Sequence, residues 1–184
     1  MSQWAEAVPR RSPLAIQVVL PPPEGALDAL VDHVRSIVAG GSPVLYLAAD
    51  RPAGVLDEAF RSGGVPSGRV HFLDAVTSLG TSPPQGAANV TFVPSPTMLE
   101  IIAMRLEQLA QRLGRPYVIL DSLSTLALYA GPLPVQQFSH YVANRLRARG
   151  LKADFLVGDS AEGRQLAAQV AGYADRQGTL GVPL

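Results

Sequence analysis

The chain has 184 residues, 47% of them apolar, with 15 basic and 15 acidic side chains and no cysteine. That length and apolar share suit one domain with a substantial core, and the zero formal charge argues against a broad nucleic-acid or membrane footprint. Lack of cysteine excludes a disulfide frame, a thiol nucleophile and a Cys-based metal site, and no apolar run reaches the roughly 18 residues of a membrane span.

Residues 1–13 carry Trp4, Glu6, Arg10 and Arg11 but no signal-peptide apolar core, so a flexible arm on a cytoplasmic protein is expected. Residues 14–20 read as a first buried strand, stopped by Pro21, Pro22 and Pro23, which lack the ladder N–H. Leu27, Leu30, Val31, Val34, Ile37 and Val38 then recur at spacings of three and four, one face of a helix that Gly40 and Gly41 end. A second strand at 44–49 leads to Asp50, and a short helix over 54–62 closes at Gly63 and Gly64. A third strand, 70–73, ends in Asp74. The turn formers of 79–88 predict a mobile loop, with a short strand after it at 90–93.

A third helix is expected over 97–113, its buried stripe being Leu99, Ile102, Leu106, Leu109 and Leu113. Then comes the most informative stretch, Tyr117 to Tyr129. Its opening run, Tyr-Val-Ile-Leu, has no alternation and suits a strand buried on both faces. Asp121 stands where the run ends, at the rim where open α/β sheets bind ligands. Ser122, Ser124 and Thr125 follow it. The same pattern also fits a strand-end aspartate that caps a turn. Gly131, Pro132 and Pro134 precede a fourth helix over 134–149. Arg145, Arg147 and Arg149 crowd its last turn, where cations complement the helix dipole; that explains the cluster better than nucleic-acid binding does. A strand over 154–158 leads to Asp159, a weaker helical pattern carries Leu166, Val170 and Tyr173, and 177–184 reads as a tail that either adds one short edge strand or stays loose. Alternating strands and helices predict an α/β fold: a doubly wound, mostly parallel sheet with helices on both faces, spanning 14–176. Asp50, Asp74, Asp121 and Asp159 would then share one edge, either as a polar site or as ordinary turn and helix-start acids.

The pieces Val-Leu-Tyr-Leu-Ala-Ala-Asp at 44–50, Val-His-Phe-Leu-Asp-Ala at 70–75, Tyr-Val-Ile-Leu-Asp-Ser-Leu-Ser-Thr-Leu at 117–126 and Tyr-Ala-Asp at 173–175 resemble, in order and spacing, the KaiC-like branch of the RecA-type P-loop ATPases. The resemblance implies a RecA-like fold, makes Asp121 the Walker B acid that holds Mg²⁺, and puts Asp50 in the place of the catalytic base. Arg51 stands where the family usually has a second glutamate. The phosphate-binding motif G-x-x-x-x-G-K-[ST] should join the first strand to the first helix. That place reads Leu20, Pro21, Pro22, Pro23, Glu24, Gly25, Ala26, Leu27. Gly25 keeps one glycine, but Ala26 replaces the lysine and Leu27 the Mg²⁺-binding hydroxyl. The prolines remove N–H groups that would cradle phosphate, and Glu24 adds repulsion.

His33, His71 and His140 are scattered without metal-ligand spacing, and neither a G-x-S-x-G elbow nor a G-x-G-x-x-G turn is present. Tyr117, Tyr129 and Phe138 are expected to be packing residues. The expectation is a pseudo-ATPase: a non-catalytic regulatory or scaffolding protein of signal-transduction type, with no cofactor, acting as a homo-oligomer or beside a related ATPase subunit. The alternatives are a divergent ATPase using Mg-ATP with Asp121 and Asp50, and a DNA-binding recombinase relative.

Overall fold

Short apolar runs become the strands of one sheet in the computed structural model, which describes residues 15–22, 24–80 and 88–180. They are β1 (Ile16–Leu20), β2 (Val44–Ala48), β3 (Val70–Asp74), β4 (Val90–Phe92), β5 (Tyr117–Asp121), β6 (Ala153–Leu156) and β7 (Arg176–Thr179). The order across the sheet is β4-β3-β2-β5-β6-β1-β7, and every neighbouring pair is parallel. Parallel neighbours need long crossovers. Helices α1 (Ala26–Ala39), α2 (Ala53–Ser62), α4 (Leu99–Leu113), α5 (Leu123–Ala130), α6 (Pro132–Ala148) and α7 (Ala161–Ala171) supply them, with α3 (Thr77–Gly80) a single turn.

Side chains alternate across a strand, so β2 feeds two cores. Leu45 and Leu47 enter the layer under α4 to α7; Val44, Tyr46 and Ala48 enter the layer under α1 and α2. The sheet is thereby covered on both faces, as the strand–helix alternation predicts.

Several boundaries differ from expectation. Pro132 and Pro134 open α6 instead of preceding it, because a helix's first turn needs no N–H from proline. The chain also folds α5 directly after β5, capped by the Ser122 side chain, where the sequence offered no clear amphipathic period. The expected 79–88 loop begins within α3, and 81–87 fall outside the described residues. Of the two forms open to the C-terminal tail, the structure takes the edge strand, β7, paired to β1. The 1–13 arm lies outside the described residues.

At the sheet's other end, where the helices finish, guanidinium groups meet helix-terminal carbonyls. Arg35 Nη1 donates to Gly63 O (2.8 Å), Arg69 Nη2 to Gly41 O (2.7 Å) and Arg115 Nη2 to Gly150 O (3.3 Å). These contacts complement the negative ends of α2, α1 and α6.

Candidate functional site

The carboxyl ends of β1, β2, β5 and β6 bound a cavity of about 180 Å³. Pro21, Ala26 and Leu30 form its wall at the start of α1; Asp50 and Arg51 follow β2; Asp121 and Thr125 come from β5 and α5. Its position follows from the chain path. From β2 the chain steps outward to β3 and β4, and from β5 it steps the other way to β6, with β2 and β5 side by side. Open α/β sheets hold ligands at such a reversal.

Asp121 is the most perturbed group there. Tyr46 and Ile119 lie opposite each other in the β2–β5 register, so Asp121, two residues on, shares a sheet face with the tyrosine. The Tyr46 hydroxyl donates to Asp121 Oδ2. Phe60 and Phe72 fix the tyrosine ring, at centroid distances of 5.6 and 5.8 Å. Burial pushes the Asp121 carboxyl up to about 6. The Asp50 charge adds to that push, while the Tyr46 bond and Arg51 oppose it. Burial, and then the Asp121 carboxylate, hold the Tyr46 hydroxyl well above its usual range.

Asp50 is more open. It accepts from Thr125 Oγ1 at 3.0 Å, with Arg51 Nη2 at 3.7 Å. Ser122 Oγ accepts from Thr125 N (3.1 Å) and starts α5, while Ser124 Oγ accepts from Gly158 N (2.9 Å) and ties α5 to the exit of β6.

The other two strand-end acids do not join this site. Asp74 is fully buried and accepts from the N–H groups of Ala53, Val76 and Thr77 and from Thr77 Oγ1, all within 2.9 Å. It organises the turns beside β3, the ordinary role of such an acid. Asp159 pairs at the surface with Arg164 (2.8 Å).

The β1–α1 connection reads Pro21, Pro22, Glu24, Gly25 over its described residues, and Pro23 lies outside them. Gly25 takes the left-handed conformation (φ 66°) that begins α1 without a side-chain cap. Exposed Glu24 and the first-turn Asp28 place two carboxylates at the positive end of α1. Ala26 lines the cavity, and Leu27 packs against the core under α1 and α2. Leu180, just past β7, closes the cavity beside this connection and donates its N–H to Leu20 O (3.0 Å). Two carboxylates and several hydroxyls thus converge on a small space with an apolar lid. Among the described residues no cluster of three or more His, Asp or Glu groups could hold a metal ion.

Sequence reasoning missed Tyr46 and Leu180. A tyrosine inside a buried apolar strand does signal a hydroxyl in need of a partner, but naming Asp121 needs the strand register. It also missed a second buried cluster below the cavity. Asp154 is fully buried in the middle of the sheet. It receives Gln17 Nε2 (2.6 Å) and the Tyr117 hydroxyl (2.7 Å), and its other oxygen meets His33 Nε2. Arg176 in turn holds Gln17 Oε1 at 2.8 Å. Tyr117 and Phe138 are packing residues as expected, but Tyr129 is 48% exposed. The α6 arginines are held by acids: Arg145 and Arg149 by Glu107 (2.7 and 3.6 Å), Arg147 by Asp175 (3.0 Å). No helix among the described residues is long and apolar enough to cross a membrane.

No curated protein matches the sequence. In structure the chain is similar to a KaiC-like protein, PH0186, from the hyperthermophilic archaeon Pyrococcus horikoshii OT3. The two share a TM-score of 0.62 and 10% identity over 88% of this chain and 68% of that one. The fold is therefore RecA-like. Residues 15–176 match the model of a family of unknown function, DUF7504, and the chain belongs to that family.

Proposed function

We propose that this protein is a non-catalytic member of the KaiC/RecA-like group that regulates or scaffolds through protein–protein contacts. One observation carries this reading: the β1–α1 connection lacks the parts a nucleotide needs. Prolines at 21, 22 and 23 withdraw N–H donors. Ala26 and Leu27 offer neither the cation nor the hydroxyl, and Glu24 and Asp28 already occupy the helix's positive end. The cavity of about 180 Å³ is below the ~300–1,000 Å³ of ordinary ligand pockets. Mg-ATP does not fit these residues.

A divergent ATPase is the second reading, favoured by the convergence of Asp121 and Asp50 on one cavity. Calorimetric titration with Mg-ATP and Mg-ADP separates the two. The scaffold reading expects no heat at millimolar nucleotide. Binding that disappears in Asp121→Ala would overturn it.

A further inference from the structure

We infer that the outer face of α4, with the groove between α4 and α6, is the seat of a second copy of this chain, its α4 antiparallel across a two-fold axis. This rests on the scaffold reading and names the surface it would use.

The groove holds about 630 Å³. Leu99, Ala103 and Phe138 lie along it, and Met104 and Tyr141 stand at its lip, 48% and 49% exposed. Methionine and tyrosine adapt well to a protein partner, and both are enriched in such interfaces. The charges around these side chains indicate what would cover them.

Inside the groove Glu107 is settled. Glu107 accepts from Arg145 Nε and Nη2 at 2.8 and 2.7 Å and from the Tyr141 hydroxyl at 2.9 Å, with Arg149 at 3.6 Å. Along the exposed ridge of α4, whose Glu100, Met104 and Gln108 also border the groove and whose Gln108 accepts from Arg105 Nη1 (3.1 Å), two charges are not. Glu100 stands in the first turn and Arg112 in the last, both exposed, and among the described residues neither has an ion pair. Glu100, Met104, Gln108 and Arg112 are four residues apart, which makes them one ridge of the helix. The ridge is acidic at one end, basic at the other and neutral in sum.

Such a ridge complements itself reversed. When ridges of this kind interdigitate, the helices cross at about 50°. A two-fold axis at the level of Leu106 then sets Glu100 against the copy's Arg112 and Met104 against the copy's Gln108. A parallel arrangement would set like charges together. The contact is isologous, so each favourable pair occurs twice.

The test is sedimentation equilibrium over a concentration series at low salt. Wild type should form a dimer. Glu100→Arg and Arg112→Glu should each weaken it at least tenfold, and the double swap E100R/R112E should restore it. Both positions are exposed, and thermal melts by circular dichroism check that the fold is retained. The absence of native cysteine allows a second readout. Met104→Cys chains mixed with Gln108→Cys chains should form disulfide-linked pairs faster than either variant alone. A protein that stays monomeric, or a dimer whose dissociation constant is the same in all three charge variants, overturns the inference. Capture of a different protein on this face in place of a second copy overturns it as well. The scaffold reading fails separately, on nucleotide binding, and a dimer through another face would leave it standing.

Discussion

Replacing Asp121 by asparagine should make the protein more stable at neutral pH. The folded chain raises this carboxyl from 3.8 to about 6, chiefly by burial. At 1.36 kcal/mol per unit, keeping it ionised costs the fold about 3 kcal/mol. The folded state holds the proton more tightly than the unfolded state, so the cost is fully present above pH 6. It is relieved as pH falls through 6 towards 4. Asparagine keeps the shape and an acceptor for the Tyr46 hydroxyl without the charge. With a urea slope of about 2 kcal/mol/M, the midpoint at pH 7.5 should rise by about 1–1.5 M. At pH 4 most of that gain should be gone. Urea melts of wild type and Asp121→Asn at both pH values provide the assay. A variant less stable than wild type at pH 7.5, or equally stabilised at both, would refute the account of Asp121 as a charge held at a loss.

Asp154→Ala should cost about 3–5 kcal/mol in urea melts, because it strips partners from His33, Gln17 and Tyr117 in the interior. Tyr117→Phe, which removes one donor and leaves the carboxylate supported, should cost only about 1 kcal/mol. Gly163→Ala should lower stability by about 1–3 kcal/mol, since a Cβ there would lie 2.0 Å from Gly158 O, and backbone must move to admit it. Leu180→Ala should cost about 2 kcal/mol by unroofing the cavity, and a neutral effect would mean that this side chain does not close it.

Most elements were legible because their periods are local. The stripe Leu30, Val34, Ile37 and Val38 and the unbroken runs at 44–49 and 117–120 state their own structure. α5 was hidden because its eight residues are apolar on most sides and follow a strand without a break. Asp50 and Asp121 were found since an acid after a buried run marks a rim, and the structure brings them to one cavity. The same rule suggested Asp74 and Asp159, which the structure uses for turns and a surface pair. Asp154 reads in the sequence only as the start of a strand. Its burial depends on Gln17, His33 and Tyr117, residues 137, 121 and 37 positions away. No local pattern reports such distances.

The place of β1 in the sheet sets the order in which the molecule can be completed. Its two neighbours, β6 and β7, come more than 130 residues later in the chain, and Ile16 meets Ala153 while Leu20 meets Thr179. During synthesis the segment Ile-Gln-Val-Val-Leu therefore has neither edge paired until β6 and β7 have emerged. An apolar strand with both edges open is a template for association with other nascent chains. Closure of the sheet is then a long-range step that depends on β6, β7 and the Asp154 cluster arriving together, and β1 is protected only at that step.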